Sequence, residues 1–138
     1  MEQSDELKEL TLRYLNARAN GDFAFIESHL SQSDGITYLG SGPDEWWTGH
    51  DTIVATIKAN MARDVGGVTL LAEEPVAYSE GTVGWVAERF KLKLPNGVEM
   101  PLMFTAVFRK EEGEWKVVLG HLSAVAPSAE AGKASSTR

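Results

Sequence analysis

The residues whose types could do chemistry are few, and they lie far apart in the sequence. Tyr14 falls in an amphipathic stretch, Tyr38 in a short apolar run and Arg89 in a long β-type run. A buried phenol can donate a hydrogen bond to a developing oxyanion, and a guanidinium can hold a carboxylate or a carbonyl. Each also has a structural interpretation. Tyr14 can be a core tyrosine bonded locally, and Arg89 can pair with a helix acid or extend outward from the sheet.

No pattern of metal ligands or nucleotide-binding glycines accompanies these residues. The three histidines, His29, His50 and His121, lack ligand spacing, and the chain has no cysteine. The "GSG" at 40–42 matches neither the dinucleotide nor the P-loop pattern. We therefore expect neither a metal site nor a cofactor.

Composition places the chain among ordinary globular domains. It has 138 residues, of which 43% are hydrophobic and 24% charged, and its formal net charge is −7. An acidic chain without a Lys/Arg cluster argues against a nucleic-acid partner. The sequence has no apolar run long enough to span a membrane and no signal-peptide pattern, so we expect a cytoplasmic protein without a membrane partner.

The first half of the sequence predicts helices. Ser4 is placed to cap a helix that Asn20-Gly21 ends, and Asp22 to cap a short second helix from Phe23 to Leu30. A third helix is expected after Gly49, with Asp51 as its cap, and a short strand is expected at 36–39. Between the last two lies a connection that contains two adjacent tryptophans.

The second half predicts four long strands, at 68–78, 82–94, 98–110 and 114–125. Asn96-Gly97, flanked by two of these runs, predicts a two-residue hairpin turn. Helices first and strands later indicate an α+β fold with helices on one face of a curved antiparallel sheet. We expect one domain over residues 1–126 and a disordered tail over 127–138.

The predicted turn fixes which side chains share a face of the sheet. It sets Arg89 opposite Phe104, and a second turn at 111–113 extends the register to the last strand if the strands contain no bulge. One face then receives Trp85, Ala87, Arg89, Phe104, Ala106, Phe108, Val118 and Leu122. The other face receives Val86, Glu88, Phe90, Met103, Val107, Trp115, Val117, Leu119 and His121. Both faces are apolar and helices can cover only one, so we expect a homodimer through the other. Glu88 and His121 on that face suggest either acid–base work or interface hydrogen bonds.

Four segments resemble the nuclear transport factor 2-like superfamily, which includes SnoaL-like and ketosteroid-isomerase-like domains. They are "LRYLNARANGDFAFIESHL" at 12–30, "TGHDTI" at 48–53, "GTVGWVAERF" at 81–90 and "GEWKVVLGHLS" at 113–123. The last two are also similar to the association domain of calcium/calmodulin-dependent kinases. The resemblance implies a cone-shaped α+β fold with a mainly apolar pocket inside it and a dimer interface on the outer sheet face.

The resemblance places six residues at that pocket: Tyr14, Tyr38, Trp47, Trp85, Arg89 and Phe104. It implies a homodimer that binds a small apolar or carbonyl-bearing ligand without a cofactor. The isomerase pattern is incomplete, because the position of the family's catalytic aspartate carries Tyr38 and "MFTAVF" at 103–108 lacks the second acid.

Two alternatives to simple ligand binding follow from the sequence. One is a cofactor-free isomerase, dehydratase or cyclase acting on a carbonyl compound, with Tyr14 as hydrogen-bond donor and a water or the Asp44-Glu45 loop as base. The other is a homo-oligomerising association module. Trp46 and Trp47 point in different directions in either case, so we expect only one of them at the pocket rim.

Overall fold

Helices dominate the first half of the chain and long strands the second, as the sequence predicts. The structure, a computed structural model, describes residues 1–63 and 66–124. The helices are α1 (Asp5–Asn20), α2 (Phe23–Ser28) and α3 (His50–Ala62). The strands are β1 (Glu2–Gln3), β2 (Thr37–Leu39), β3 (Trp46–Thr48), β4 (Thr69–Ala72), β5 (Val76–Glu80), β6 (Val83–Lys93), β7 (Glu99–Glu111) and β8 (Glu114–Ala124).

The ends of the first two helices confirm the predicted caps. The Ser4 hydroxyl accepts a hydrogen bond from the Leu7 amide at 3.1 Å, and Gly21 ends α1 in the left-handed conformation. The Asp22 carboxylate accepts from the Phe25 amide at the start of α2. The predicted cap of α3 is wrong. Gly49 occupies the capping position with a φ of 91°, which favours glycine, so Asp51 lies within the first turn.

The strands form one mixed sheet in the order β1-β5-β6-β7-β8-β2-β3, with β4 also paired to β6. All the pairs are antiparallel except β2 with β8, which is parallel. The run predicted at 68–78 divides into β4 and β5, which pair one after the other along β6. Pro75 lies between them, where a residue without an amide hydrogen cannot continue a ladder.

The hairpin between β6 and β7 differs from the predicted register by one residue. Leu94 and Val98 are hydrogen-bonded across a three-residue turn at 95–97, so Arg89 faces Met103 and Glu88 faces Phe104. A shift of one residue moves every side chain of a strand to the opposite face. The predicted faces are therefore wrong for the side chains of β6. They are right for Phe104, Ala106 and Phe108 on β7, a strand in which buried positions alternate with more exposed ones.

A second departure is a β-bulge in β8. Val107 pairs with Leu119 and Phe108 with Val117, which leaves Val118 as the extra residue. Before the bulge, Trp115 and Val117 turn inward and are buried, although the unbulged register had placed them on the other face. Beyond the bulge, Gly120 and Leu122 keep the predicted face.

The core lies between the helices and one face of the sheet, which we call the inner face. Its sheet members include Val86, Phe90, Phe104, Ala106, Phe108 and Val117. The helices contribute buried side chains at helical spacing, among them Leu7, Tyr14, Ile26, Ile53 and Ile57. Burying a large apolar side chain contributes about 1.5–3 kcal/mol, so this layer holds the helices onto the sheet.

Two further predictions concern the C-terminal tail and the absence of a membrane span. The tail expected at 127–138 lies outside the described residues. None of the described helices is long and apolar enough to cross a membrane.

Candidate ligand-binding site

Two buried tyrosines, one on α1 and one on β2, form a hydrogen-bonded pair on the inner face. Their hydroxyl oxygens are 3.1 Å apart, and either phenol can be the donor. Phe104 stacks on Tyr14 with ring centroids 5.4 Å apart, which fixes the first ring. Gly120 makes room for the second, since a Cβ there would lie 2.5 Å from the Tyr38 ring. The pair is thus built by packing on both sides.

Burial raises the pKa of both phenols, and that of Tyr14 rises well above its ordinary value. The neighbouring Tyr38 adds to the effect on the Tyr14 pKa, while the positive charge of Arg18 opposes it. For Tyr38, the Arg18 charge and the hydrogen bond from Tyr14 both lower the pKa against the effect of burial. Both hydroxyls therefore stay protonated near neutral pH, where they donate hydrogen bonds and do not act as bases.

A cavity of about 90 Å³ opens beside Tyr38. One wall comes from α3, whose Ile53 and Ile57 are apolar and whose Asn60 brings an amide. The cavity is much smaller than the roughly 300–1,000 Å³ of pockets for drug-sized ligands. Its volume is enough for a small molecule, or for the end group of a larger one that extends from the mouth.

The tryptophans of the β2–β3 hairpin divide between the cavity and the surface. Both belong to β3, which was predicted as a connection, and successive side chains of a strand point to opposite sides. Trp47 is half-buried, packs against the core and lines the cavity, whereas Trp46 is 66% exposed. This agrees with the prediction that one of the two tryptophans lies at the rim, and it identifies that residue as Trp47.

Charged groups lie on two sides of the cavity. Arg18 approaches from the last turn of α1, one helical turn beyond Tyr14. Glu45 lies in the turn that joins β2 to β3, where its Oε1 accepts a hydrogen bond from the Gly42 amide at 2.9 Å. Gly40 packs against this side chain so closely that a Cβ would lie 2.4 Å from Oε1. The turn therefore holds the carboxylate in place.

The structure brings some of the predicted pocket residues together and separates others. Tyr38 and Trp47 line the cavity, whereas Tyr14 and Phe104 are fully buried and support Tyr38 without lining it. The placement of Trp85 and Arg89 beside Phe104 is wrong, because the three-residue turn sends both to the opposite, outer face. No ligand tests the roles assigned to these residues, which stay predictions.

On the outer face, Trp85 and Arg89 have other surroundings. The Trp85 ring stacks on Tyr78 with centroids 5.2 Å apart, and its Nε1 donates to the Met1 sulfur at 3.4 Å. Arg89 is exposed and sits across from Met103. Its long aliphatic stem accounts for its position on an apolar surface.

Glu88 is a buried acid, and its predicted place on the outer face is wrong. It is 5% exposed, it faces the same side as Val86 and Phe90, and its Oε2 has no hydrogen-bond partner among the described residues. Burial and the charge of Glu73 raise its pKa to about 7, although the Arg89 amide and the Arg89 charge lower it. It does not line the cavity beside Tyr38.

The suggested pairing of this acid with His121 is also wrong. His121 is exposed on the outer face opposite Thr105, while Glu88 points inward. A three-residue turn at Pro95-Asn96-Gly97 sets Glu88 opposite Phe104 and so places it on the inner face. That register would have corrected both the predicted face of Glu88 and its pairing with His121.

Two further residues of the cavity were missed or left in the background. Arg18 could have been found from its spacing, since it follows Tyr14 by four residues on a predicted helix. Glu45 was named only as one acid of the Asp44-Glu45 loop. Within residues 1–63 and 66–124, no group of three or more His, Asp or Glu side chains is arranged to hold a metal ion.

Solved structures of similar shape place this architecture in a known class. A proposed dehydratase of the NTF2-like family from Streptomyces avermitilis is 16% identical with a TM-score of 0.73, covering 89% of this chain and 96% of that one. A proposed ketosteroid isomerase from Parabacteroides distasonis is 15% identical with a TM-score of 0.69, covering 89% and 91%. A proposed calcium/calmodulin-dependent protein kinase type II association domain from Thiobacillus denitrificans is 13% identical with a TM-score of 0.68, covering 84% and 92%.

These likenesses define the class of protein as the cone-shaped α+β fold of NTF2-like proteins. The model of the SnoaL-like domain matches residues 7–127, so the chain belongs to the SnoaL-like family. The comparison with curated proteins finds no match. Because the three structures differ in their named roles, the shared fold does not decide among binding, catalysis and association.

Proposed function

We propose that this protein binds a small molecule in the cavity beside Tyr38. The proposal is supported by one observation: a phenol, an indole and two opposite charges line the same cavity. They belong to Tyr38, Trp47, Arg18 and Glu45. A few polar groups in an otherwise apolar concave site are typical of small-molecule recognition. Trp47 and Ile57 provide apolar contact, and Tyr38 gives the ligand an orientation.

Plugging the cavity tests this function. Asn60→Trp puts an indole at the cavity wall, while Ala59→Trp adds the same group one position away on the exposed side of α3. Small fragments are screened by ligand-observed NMR against both variants and the unchanged protein. We expect hits that bind the unchanged protein and Ala59→Trp but not Asn60→Trp. Hits that survive Asn60→Trp would contradict the proposal.

Catalysis is a second candidate, supported by the carboxylate of Glu45 on the same cavity as Tyr38. The reaction is isomerisation of a carbonyl compound. The carboxylate removes a proton next to the carbonyl, the enolate oxygen accepts a hydrogen bond from the Tyr38 hydroxyl, and the proton returns at another carbon. In this scheme Tyr14 supports the donor from behind instead of contacting the substrate.

The catalytic candidate makes a separate prediction about rates. Glu45→Gln removes the base and keeps its size, so turnover of any carbonyl substrate should fall at least about 100-fold. Asp44→Asn, in the same turn but off the cavity, is the matched control. Equal rates for Glu45→Gln and the unchanged protein would exclude Glu45 as the base.

We also propose that the chain forms a homodimer through the outer sheet face. Three apolar side chains on that face, Val76, Met103 and Leu119, are 48%, 46% and 40% exposed. Leu119→Glu and Met103→Glu should give monomers by size-exclusion chromatography with light scattering. Val98→Glu is the control, because Val98 is equally exposed but lies beside the β6–β7 turn. A monomeric unchanged protein would contradict the dimer and the association-module alternative with it.

A further inference from the structure

Arg18 is a cation that lines the cavity and forms no salt bridge with the residues that the structure describes. It is half-buried on α1 and lines the cavity with Tyr38 and Asn60, which are both neutral. In the part of the chain that the structure describes, no carboxylate oxygen lies within 4.0 Å of its guanidinium. Taking a charge partly out of water is costly unless an opposite charge or several hydrogen bonds offset the loss.

Glu45 is the acid on the same cavity, but other contacts keep its carboxylate from pairing with Arg18. Glu45 lines the same cavity, yet its Oε1 is engaged by the Gly42 amide and the side chain rests against Gly40. Its carboxylate is not within salt-bridge distance of Arg18. The two charges therefore face a shared space without neutralising each other.

The helix positions this cation against the phenol pair. Arg18 follows Tyr14 by one turn on the same face of α1, and its charge acts on the pKa of both tyrosines. A ligand oxygen near the Tyr38 hydroxyl would therefore also lie near the guanidinium. Donors from two directions suit the two oxygens of a carboxylate, which arginine binds in bidentate fashion.

We propose that the ligand of this cavity is a small monocarboxylate, held by the guanidinium of Arg18 and the hydroxyl of Tyr38. This inference rests on the proposed binding function and gives it a chemical class. The apolar tail of the acid lies against Ile57 and Trp47, and the limited volume restricts the buried part to a short chain. Glu45 repels a second negative charge, so the site selects against dicarboxylates.

Paired probes test the class of ligand separately from the existence of the site. Butyrate with butyramide, and benzoate with benzamide, differ in charge but hardly in shape. Each is titrated at pH 7 and constant ionic strength, and binding is followed by NMR at the indole N–H of Trp47. We expect each acid to bind at least about 10-fold more tightly than its amide, because a hydrogen bond to a charged group is worth more than a neutral one.

Variants assign that preference to Arg18. Arg18→Gln should remove the difference between acid and amide, and Arg18→Lys should keep part of it. Arg13→Gln is the matched control, because Arg13 lies on the same helix, is exposed and covers the Phe25 ring. It should keep the full difference. The amide spectra report whether each variant remains folded.

Glu45→Gln tests the proposed selection against dicarboxylates. In the unchanged protein, succinate should bind more weakly than butyrate, and Glu45→Gln should narrow that gap.

The outcomes separate the two proposals. If acid and amide bind the unchanged protein equally, the cavity is a binding site but the monocarboxylate class is wrong. If Arg18→Gln keeps the preference for the acid, Arg18 is not the anchor and the inference fails. If neither series changes the Trp47 signal up to the limit of solubility, the proposed binding function fails together with the class.

Discussion

Two buried polar groups on the inner face of the sheet differ in how their hydrogen bonds are satisfied. The hydroxyls of Tyr14 and Tyr38 bond to each other, and glycine and phenylalanine neighbours hold their rings. Glu88 has one oxygen without a partner among the described residues and a pKa raised to about 7 by burial. The first group borders the cavity beside Tyr38, whereas Glu88 lies away from it, at a separate pocket shared with Glu73 and Arg89. The comparison teaches that a satisfied polar pair can support recognition, whereas an unsatisfied acid mainly makes stability depend on pH.

The largest effect is expected where the phenol pair depends on a glycine. Gly120→Ala puts a Cβ 2.5 Å from the Tyr38 ring in a packed core, so the ring or the strand must move. We expect a loss of about 3 kcal/mol in the free energy of unfolding. Urea denaturation measures it.

Gly35→Ala is the control for this change, since a Cβ there meets no atom within 4 Å. It should alter the free energy of unfolding by less than about 1 kcal/mol. Equal losses in the two variants would show that Tyr38 is not held against Gly120.

Glu88 should make the protein less stable as the pH rises from about 4.5 to about 7. In that window the unfolded carboxyl loses its proton while the folded one, whose pKa is raised, keeps it. The folded state then binds more protons, so the free energy of unfolding falls with increasing pH and levels off above about 7. We expect the free energy of unfolding to fall by about 2 kcal/mol through this group. This is less than the full pKa shift would give, because water screens the charges of the exposed Glu73 and Arg89.

Glu88→Gln isolates this contribution, because the amide cannot titrate. Denaturation at several pH values should show a flatter profile for Glu88→Gln than for the unchanged protein. Glu9→Gln, on the exposed side of α1, controls for the loss of one charge. If Glu88→Gln keeps the slope, the buried acid is not its source.

Removing the two hydroxyls of the phenol pair one at a time should lower the free energy of unfolding by unequal amounts. Tyr38→Phe leaves the Tyr14 hydroxyl fully buried with no partner, at a cost of about 1–2 kcal/mol. Tyr14→Phe costs less, about 0.5–1 kcal/mol, because the Tyr38 hydroxyl can turn to water in the cavity. Thermal unfolding of both variants checks the order, and the reverse order would mean that Tyr14 is the more accessible of the two.

The smallest effect separates the two tryptophans of β3. Trp46→Ala should change the free energy of unfolding by less than about 0.5 kcal/mol, because the side chain is 66% exposed. Trp47→Ala should cost about 1–2 kcal/mol, since its ring packs against the core and lines the cavity. Similar losses in urea denaturation would show that both rings pack alike.

The sequence was sufficient for features that depend on local chemistry. The caps at Ser4 and Asp22 and the stop at Gly21 follow from single residues, and helices before strands gave the α+β class. The side on which β7 buries its residues was also right. The caps depend on contacts within a few residues of chain, and the class and the buried side of β7 follow from the order and the alternation of residue types.

Features that depend on counting across a turn were not predictable in the same way. Whether the β6–β7 turn has two or three residues decides the face of Trp85, Glu88 and Arg89 at once. The bulge at Val118 does the same for Trp115. The parallel pairing of β2 with β8 brings Tyr38 over Gly120, a contact between segments far apart in sequence that no local pattern records.

The cavity itself was predicted only in part. Tyr38 and Trp47 were named, but Arg18 and Glu45 gain their meaning from the meeting of α1, α3 and the β2–β3 turn. Neither charge stands out in a sequence in which a quarter of the residues are charged, about 24%. The spacing of Arg18 from Tyr14 could have pointed to the first charge, but the absence of an ion pair between Arg18 and Glu45 is seen only in the structure.

A crystal structure of the protein soaked with butyrate and benzoate would test the central claim most directly. The account predicts ligand density in the cavity between Trp47 and Tyr38, with the carboxylate turned toward Arg18. Ligand bound on the outer sheet face, with side chains closing the cavity, would contradict it.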